Sequence, residues 1–339
     1  MNFKERPGLK KSSEPVSLSK ILSPVRKDLR QVEVYLSRWA DSASPAIRKM
    51  ARAAFQKPGK LIRPGILLLA ASQLGYRGKK RIAAAAAVEA IHTASLIHDD
   101  IIDGSATRRG EKTMAAAYGE KFSLLLGDFF FIRSIAASVR AISPKITDYL
   151  TRVTEKMIEG EAEELAQAFN FNLEEKTYWY IVESKTASLF EATCLVAAEL
   201  AGARPKDKKA LSAYGKNLGL AFQVVDDLID ITGSPEETGK PAFSDLREGR
   251  MTLPFILARE AASTRDKNKL RQLVEKSRNN HGHLKELFVL LNQTGALQQA
   301  YDQAEKLVKK SKESINHLPP TPYSLSLLKM ADFVLRRKY

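Results

Sequence analysis

The chain of 339 residues carries 54 Lys and Arg against 39 Asp and Glu, a net charge of +15, with 44% hydrophobic residues. This composition is globular, excludes a disordered chain, and leaves room for one large domain or two ordinary ones. The only cysteine, Cys194 in EATCLVAAEL, excludes an internal disulfide and reads as a packed thiol rather than a nucleophile.

In chain order, the basic start MNFKERPGLKKSSEP lacks the apolar stretch of a secretory signal, so a cytoplasmic location is expected. Residues 1–29 read as a basic arm, and Lys4, Arg6, Lys10 and Lys11 make peripheral contact with anionic membranes a further expectation. From residue 30 to 339 helix formers dominate. Val32, Tyr35, Leu36 and Trp39 fit one helix face, as do Leu284, Leu287, Phe288 and Leu291. Breaks fall near Pro58-Gly59, Gly75 to Gly78, Gly104, Pro144, Gly202 to Pro205, Gly233 to Pro241 and Pro319 to Pro322. Alternating β-branched segments are absent, so the expectation is an all-α, single-domain helical bundle. GILLLAA is short and the Ala-rich stretch from Ile82 is interrupted by Glu89 and His92, so no bilayer span is predicted.

Two segments carry the chemistry. SLIHDDIID supplies Asp99, Asp100 and Asp103, and AFQVVDDLIDITG repeats the spacing with Asp226, Asp227 and Asp230. On a helix, residues i and i+4 share a face and i+1 lies about 100° round, so Asp99 and Asp103 point together with Asp100 flanking. Apolar neighbours imply packed helices with the carboxylates at the edge of a cavity. Crowded carboxylates repel and raise one another's pKa, so a cation belongs between them. Mg²⁺ fits, because it keeps its waters and bridges one or two carboxylates to substrate phosphates. An EF-hand calcium loop is absent. Lys60 and Arg63 in KPGKLIRP, His92, Arg108 and Arg109 are candidate clamps for diphosphates. No Walker-type loop exists. The basic residues are scattered and not interleaved with aromatics, so nucleic acid is not an expected partner.

Taken in order, PGKLIRP, EAIHTASLIHDDIIDGSATRRG, LLGDFFF, IEGEAEEL, ESKTASLF, GLAFQVVDDLIDITG and GKPAFSDLREGRMTLP resemble the trans-isoprenyl diphosphate synthase (polyprenyl synthetase) family, from about Lys57 to the C-terminus. The resemblance implies a helical bundle around a deep central cavity, a homodimer, and head-to-tail condensation of isopentenyl diphosphate with an allylic diphosphate. It implies that both aspartate motifs hold the allylic diphosphate through Mg²⁺. Lys60, Arg63, His92 and Arg109 match the isopentenyl diphosphate contacts; Arg108, Lys185, Thr186, Gln223 and Lys240 match the allylic side. The sequence departs from the family pattern at Pro58, Leu61, Glu164 and Arg250, where Gly, Arg, Gln and Lys are more usual.

In the resembled family, a large aromatic one turn before the first aspartate stops chain growth. Here Ala94 and Ser95 are small, with Ile91, Ala87 and Ala84 continuing roughly that face. The expectation is a tunnel for hexaprenyl to octaprenyl products, with Leu150, Val153 and Met157 as floor; close helix packing is the competing reading of the Ala run. A shorter-chain synthase, a class I terpene cyclase and a non-catalytic partner subunit are the rivals.

Overall fold

The computed structural model describes residues 17–41, 44–56, 59–108, 110–233, 241–279 and 283–337. Its elements begin with α1 (Leu18–Ile21), a 3₁₀ turn (Ser23–Val25), α2 (Arg26–Asp41), α3 (Pro45–Gln56), α4 (Ile62–Gln73) and α5 (Lys80–Ile102). There follow α6 (Met114–Tyr118), α7 (Glu120–Ala137), α8 (Pro144–Ala166), α9 (Glu175–Val182), α10 (Ser188–Leu200) and α11 (Pro205–Thr232). The chain ends with α12 (Ser244–Arg247), α13 (Leu253–Ala261), α14 (Thr264–Asn279), α15 (Leu284–Gln293), α16 (Ala296–Ser314) and α17 (Pro322–Arg336). The all-α class is therefore as read from the sequence. One small departure is a two-stranded hairpin pairing Thr107 with Lys112 and Arg108 with Glu111. Its strands, Thr107–Arg108 and Glu111–Lys112, are too short to leave an alternating pattern.

The breaks follow from local chemistry. Pro144, Pro205 and Pro322 occupy the first turn of their helices, where a missing N–H costs nothing. Gly75 and Gly202 take positive φ just beyond α4 and α10, a conformation that other residues adopt only under strain. Thr321 caps α17, accepting from Ser324 N, and the Ser324 hydroxyl accepts in return from Thr321 N.

The long helices α5 and α11 form the centre. Ala83 to Ala87 are buried, so this run serves close helix packing. The segment before α2 joins the same core, with Ile21 and Val25 0% and 1% exposed. The basic residues of the arm, Lys4 to Lys11, lie outside the described residues.

Helix α7 lies along α5 so closely that a Cβ at Gly127 would come within 2.2 Å of His98 Nε2. The stretch Glu120–Arg140 is, by length and composition alone, apolar enough to cross a membrane, which the sequence reading had not singled out. Its apolar residues are on both faces. Leu126 and Phe130 are buried, whereas Phe122, Leu125, Ile132 and Val139 are exposed.

Candidate active site

A cavity of about 1330 Å³ opens between the C-terminal end of α5, the middle of α8, and α11. Asp99 and Asp103 line it from one side; Asp226, Asp227 and Asp230 line it from α11. Asp100 is turned behind that wall, 6% exposed, and accepts from Arg108 Nε at 2.7 Å. The helical offset explains this split: α5 ends at Ile102, and Asp103 is its C-cap residue.

The protein's own cations occupy the carboxylate wall. Arg250 bridges Asp103 at 2.6 Å, Glu164 at 3.1 Å, Asp245 at 3.3 Å and Glu248 at 2.5 Å. Lys185 contacts Glu161 and Glu164 at 2.5 Å each. Arg337, near the C-terminus, reaches Asp226 at 2.8 Å, donates to Phe222 O at 2.7 Å and stacks on the Phe222 ring. Burial pulls the Lys185 ammonium down, but Glu164, Asp99 and Glu161 more than reverse this and hold it above its ordinary value. Arg250 is held up in the same way by Glu164, Asp245, Glu248 and Asp103.

Asp99 is different. Burial, with Glu161 and Asp103 nearby, pushes its carboxyl up to about 7 despite Lys185 and Arg108. Burial likewise raises Asp227 and Asp230, with Asp245 adding to both. Asp227 accepts from Tyr178 Oη at 2.6 Å and from Gln223 Nε2 at 2.9 Å; Asp230 accepts from Ser244 N at 3.0 Å and Ser244 Oγ at 2.5 Å. These oxygen donors suit a hard divalent cation. Among the described residues no group of three or more His, Cys, Asp or Glu converges tightly enough to hold an ion alone. The donor set therefore fits a cation whose shell is completed by water and phosphate oxygens, the usual manner of Mg²⁺.

The remaining basic groups gather on the same cavity. Lys60, Arg63, His92, Arg108 and Lys185 line it with Thr186 and Gln223. Arg63 is 8% exposed, lies over the Phe190 ring at 4.4 Å, and is lowered to about 10 by burial, with Glu89 opposing. Leu61 precedes α4 at φ 49°, a strained left-handed conformation that sets the start of this helix beneath Lys60. Arg109 and Lys240 lie outside the described residues, as does Pro58.

Apolar side chains also line the cavity: Leu96, Phe131 and Met157, with the more exposed Leu124, Ile158 and Leu165. Ser95 and Met157 line the cavity, but Ala94 is 0% exposed and belongs to the core, as do Ile91, Ala87, Ala84, Leu150 and Val153. The physical reason is the close packing of α5: its Ala face is turned into the bundle, and the cavity runs along the face carrying His92, Ser95 and Asp99.

Several site residues escaped sequence reasoning. Glu161 stands inside the quoted IEGEAEEL, and its i, i+3 spacing to Glu164 was the available signal. Arg337 lay in the basic ending VLRRKY, indistinguishable from a solvated tail. Tyr178 and Asp245 reach the site only through tertiary folding, since the hydrogen bond from Tyr178 spans 49 positions.

Acidic on two walls, basic at its rim and apolar in part, the cavity defines a protein that handles diphosphates carrying long apolar tails. The polyprenyl synthetase profile matches residues 44–291. Octaprenyl diphosphate synthase of Escherichia coli is 33% identical over 322 residues, covering 95% of this chain and 99% of that protein. Among solved structures, a polyprenyl synthase from Caulobacter crescentus, complexed with calcium and isoprenyl diphosphate, superposes with a TM-score of 0.91 at 32% identity, covering 97% of this chain and all of that one. A decaprenyl diphosphate synthase from Rhodobacter capsulatus gives 0.89 at 31% identity, covering 95% and 100%. The chain belongs to the polyprenyl synthetase family and is a prenyltransferase of its medium- to long-chain trans type.

Proposed function

We propose that the enzyme condenses isopentenyl diphosphate repeatedly with an allylic diphosphate and releases an all-trans product of hexaprenyl to octaprenyl length. The observation that carries this is the cavity of about 1330 Å³ that joins both aspartate motifs to an apolar lining, larger than the roughly 300–1,000 Å³ of ordinary ligand pockets. Long-chain names among the relatives agree.

Asp99, Asp103, Asp226 and Asp230 face the allylic diphosphate, with Asp100 supporting them from behind and Asp227 held on the wall by Tyr178 and Gln223. Mg²⁺ bound there supplies the charge that neutralises the departing pyrophosphate. Lys185 and Arg108 add fixed positive charge on the same side, where negative charge grows as the allylic C–O bond breaks, and Lys240 matches the family's allylic-side residues. Thr186 and Gln223 line the cavity beside that bond. Lys60, Arg63, His92 and Arg109 hold the second diphosphate, so that the double bond of isopentenyl diphosphate attacks the allylic carbon. A proton then leaves the new chain for the released pyrophosphate. The apolar wall excludes water from the cation.

The exposed stripe Phe122, Leu125, Ile132 and Val139 on and just beyond α7 is the face that a second copy covers, giving a homodimer. The reaction is assigned to the cytoplasm, and the basic arm to transient contact with anionic membranes. Purified protein with Mg²⁺, radiolabelled isopentenyl diphosphate and farnesyl diphosphate should yield C30 to C40 prenyl chains. Turnover of the allylic diphosphate without isopentenyl diphosphate would instead identify a terpene cyclase, and inactivity of the isolated chain a partner subunit.

A further inference from the structure

Tyr178 is 5% exposed on α9, yet it reaches the cavity wall. Its phenol donates to Asp227 Oδ2 at 2.6 Å, and Gln223 Nε2 donates to Asp227 Oδ1 at 2.9 Å. The other end of the same amide, Gln223 Oε1, accepts from Thr186 Oγ1 at 2.8 Å. Both Asp227 oxygens are thus engaged, and the chain of bonds runs from α9 through α11 to the π-helical turn Glu183–Ala187.

The sense of these bonds follows from what each group can offer. An amide has a donor end and an acceptor end, and Thr has one proton to give. With Asp227 accepting on both sides, Gln223 must turn its NH₂ toward Asp227 and its carbonyl toward Thr186. The Thr186 proton is then committed to that carbonyl, leaving its lone pairs free. Two electron-rich oxygens, Gln223 Oε1 and Thr186 Oγ1, consequently sit together on the cavity wall.

We propose that Tyr178 is a positioning residue for the condensation: acting through Asp227, it locks the Gln223 amide so that the Gln223 and Thr186 oxygens face the allylic carbon as positive charge develops. The inference rests on the proposed function. An unlocked amide can rotate and present its NH₂ to the cation, which raises the barrier for ionisation without weakening either diphosphate site. Preorganised dipoles of this kind contribute where charge develops and little to ground-state binding.

The test is Tyr178→Phe, which keeps the ring and removes only the proton. A fall in kcat of about ten- to a hundredfold is expected, the cost of one hydrogen bond to a charged group, with KM for both diphosphates and half-saturating Mg²⁺ unchanged. Gln223→Leu should produce a comparable fall, and the double variant should be no worse than Gln223→Leu alone, because both changes cut one chain. Wild-type kcat in Tyr178→Phe, an effect confined to KM or to the Mg²⁺ requirement, or additive losses in the double variant would each overturn the inference. If Tyr178→Phe does not fold, Gln223→Leu decides alone: wild-type kcat overturns the inference, and a fall with unchanged Mg²⁺ dependence supports it. Failure of the wild-type enzyme to use isopentenyl diphosphate counts instead against the proposed function.

Discussion

Gly160 is where α8 touches the turn that carries Lys185 and Thr186. A Cβ placed there would lie 2.7 Å from Ser184 Cβ, 2.9 Å from Lys185 N and 3.2 Å from Ser184 C, whereas ordinary contact begins at 3.4 Å. Two of these three atoms are backbone, so no rotamer change relieves Gly160→Ala. The turn must retreat by about 0.5–0.7 Å, since interiors packed at crystal density have no slack. Overpacking costs roughly 1–3 kcal/mol, and the better helix propensity of Ala returns up to about 1 kcal/mol. The expected net loss of stability is about 1–2 kcal/mol. The retreat also carries Lys185 away from the allylic diphosphate. Misplacement of catalytic groups by about 1 Å costs about a hundredfold, so a shift of half to two-thirds that size predicts a fall in kcat of about ten- to thirtyfold. Urea unfolding and initial rates of isopentenyl diphosphate incorporation measure the two effects on one preparation. Unchanged rate together with an unchanged urea midpoint would refute the argument.

Ser95→Phe places an aromatic on the cavity wall and should shorten the product, as read by reversed-phase sizing of the prenyl chains; Ala94→Phe, buried in the core, should instead cost about 1–3 kcal/mol of stability. Burial raises Asp99 to about 7 in the folded protein against an ordinary 3.8, so between these values the native state holds a proton the unfolded chain has lost. In the chelated protein this residue makes stability fall as pH rises from about 4 to 7 and level off above, by at most about 4 kcal/mol. Urea unfolding across that range should show a shallower slope in Asp99→Asn, and an equal slope would exclude Asp99 as the source. Ile132→Glu, on the exposed stripe of α7, should convert a dimer to a monomer in sedimentation equilibrium, with an unchanged mass arguing that another face mediates assembly.

What was legible in the sequence was what repeats or breaks at short range. The helix faces, the proline and glycine boundaries and both aspartate motifs are patterns within about 30 residues, and each could be read from spacing alone. Which face of α5 lines the cavity was not legible. Ala94 and Ser95 are neighbours of similar size, and only the packing of α4, α7 and α10 against α5 decides that one is core and the other wall. The same limit hid Tyr178 and Arg337, whose partners are 49 and 111 positions away.

Of the departures from the family pattern, two meet in space. Glu164 stands where Gln is usual and Arg250 where Lys is usual, and Arg250 Nε is 3.1 Å from Glu164 Oε2. A carboxylate introduced beside Glu161, Asp99 and Asp103 raises the local negative charge, which a lysine ammonium would meet as a single point. A guanidinium presents five donors in a planar fork, and Arg250 uses them to span Asp103, Glu164, Asp245 and Glu248 together. Arg250 therefore compensates Glu164, and the pair should behave as one unit. Arg250→Lys alone offers three donors in place of five to Asp103, Glu164, Asp245 and Glu248 and should lower both stability and kcat. Arg250→Lys with Glu164→Gln removes the extra carboxylate together with the guanidinium and should recover most of both. A double variant as damaged as the single one would show that the two positions are independent and that Arg250 serves Asp103 alone.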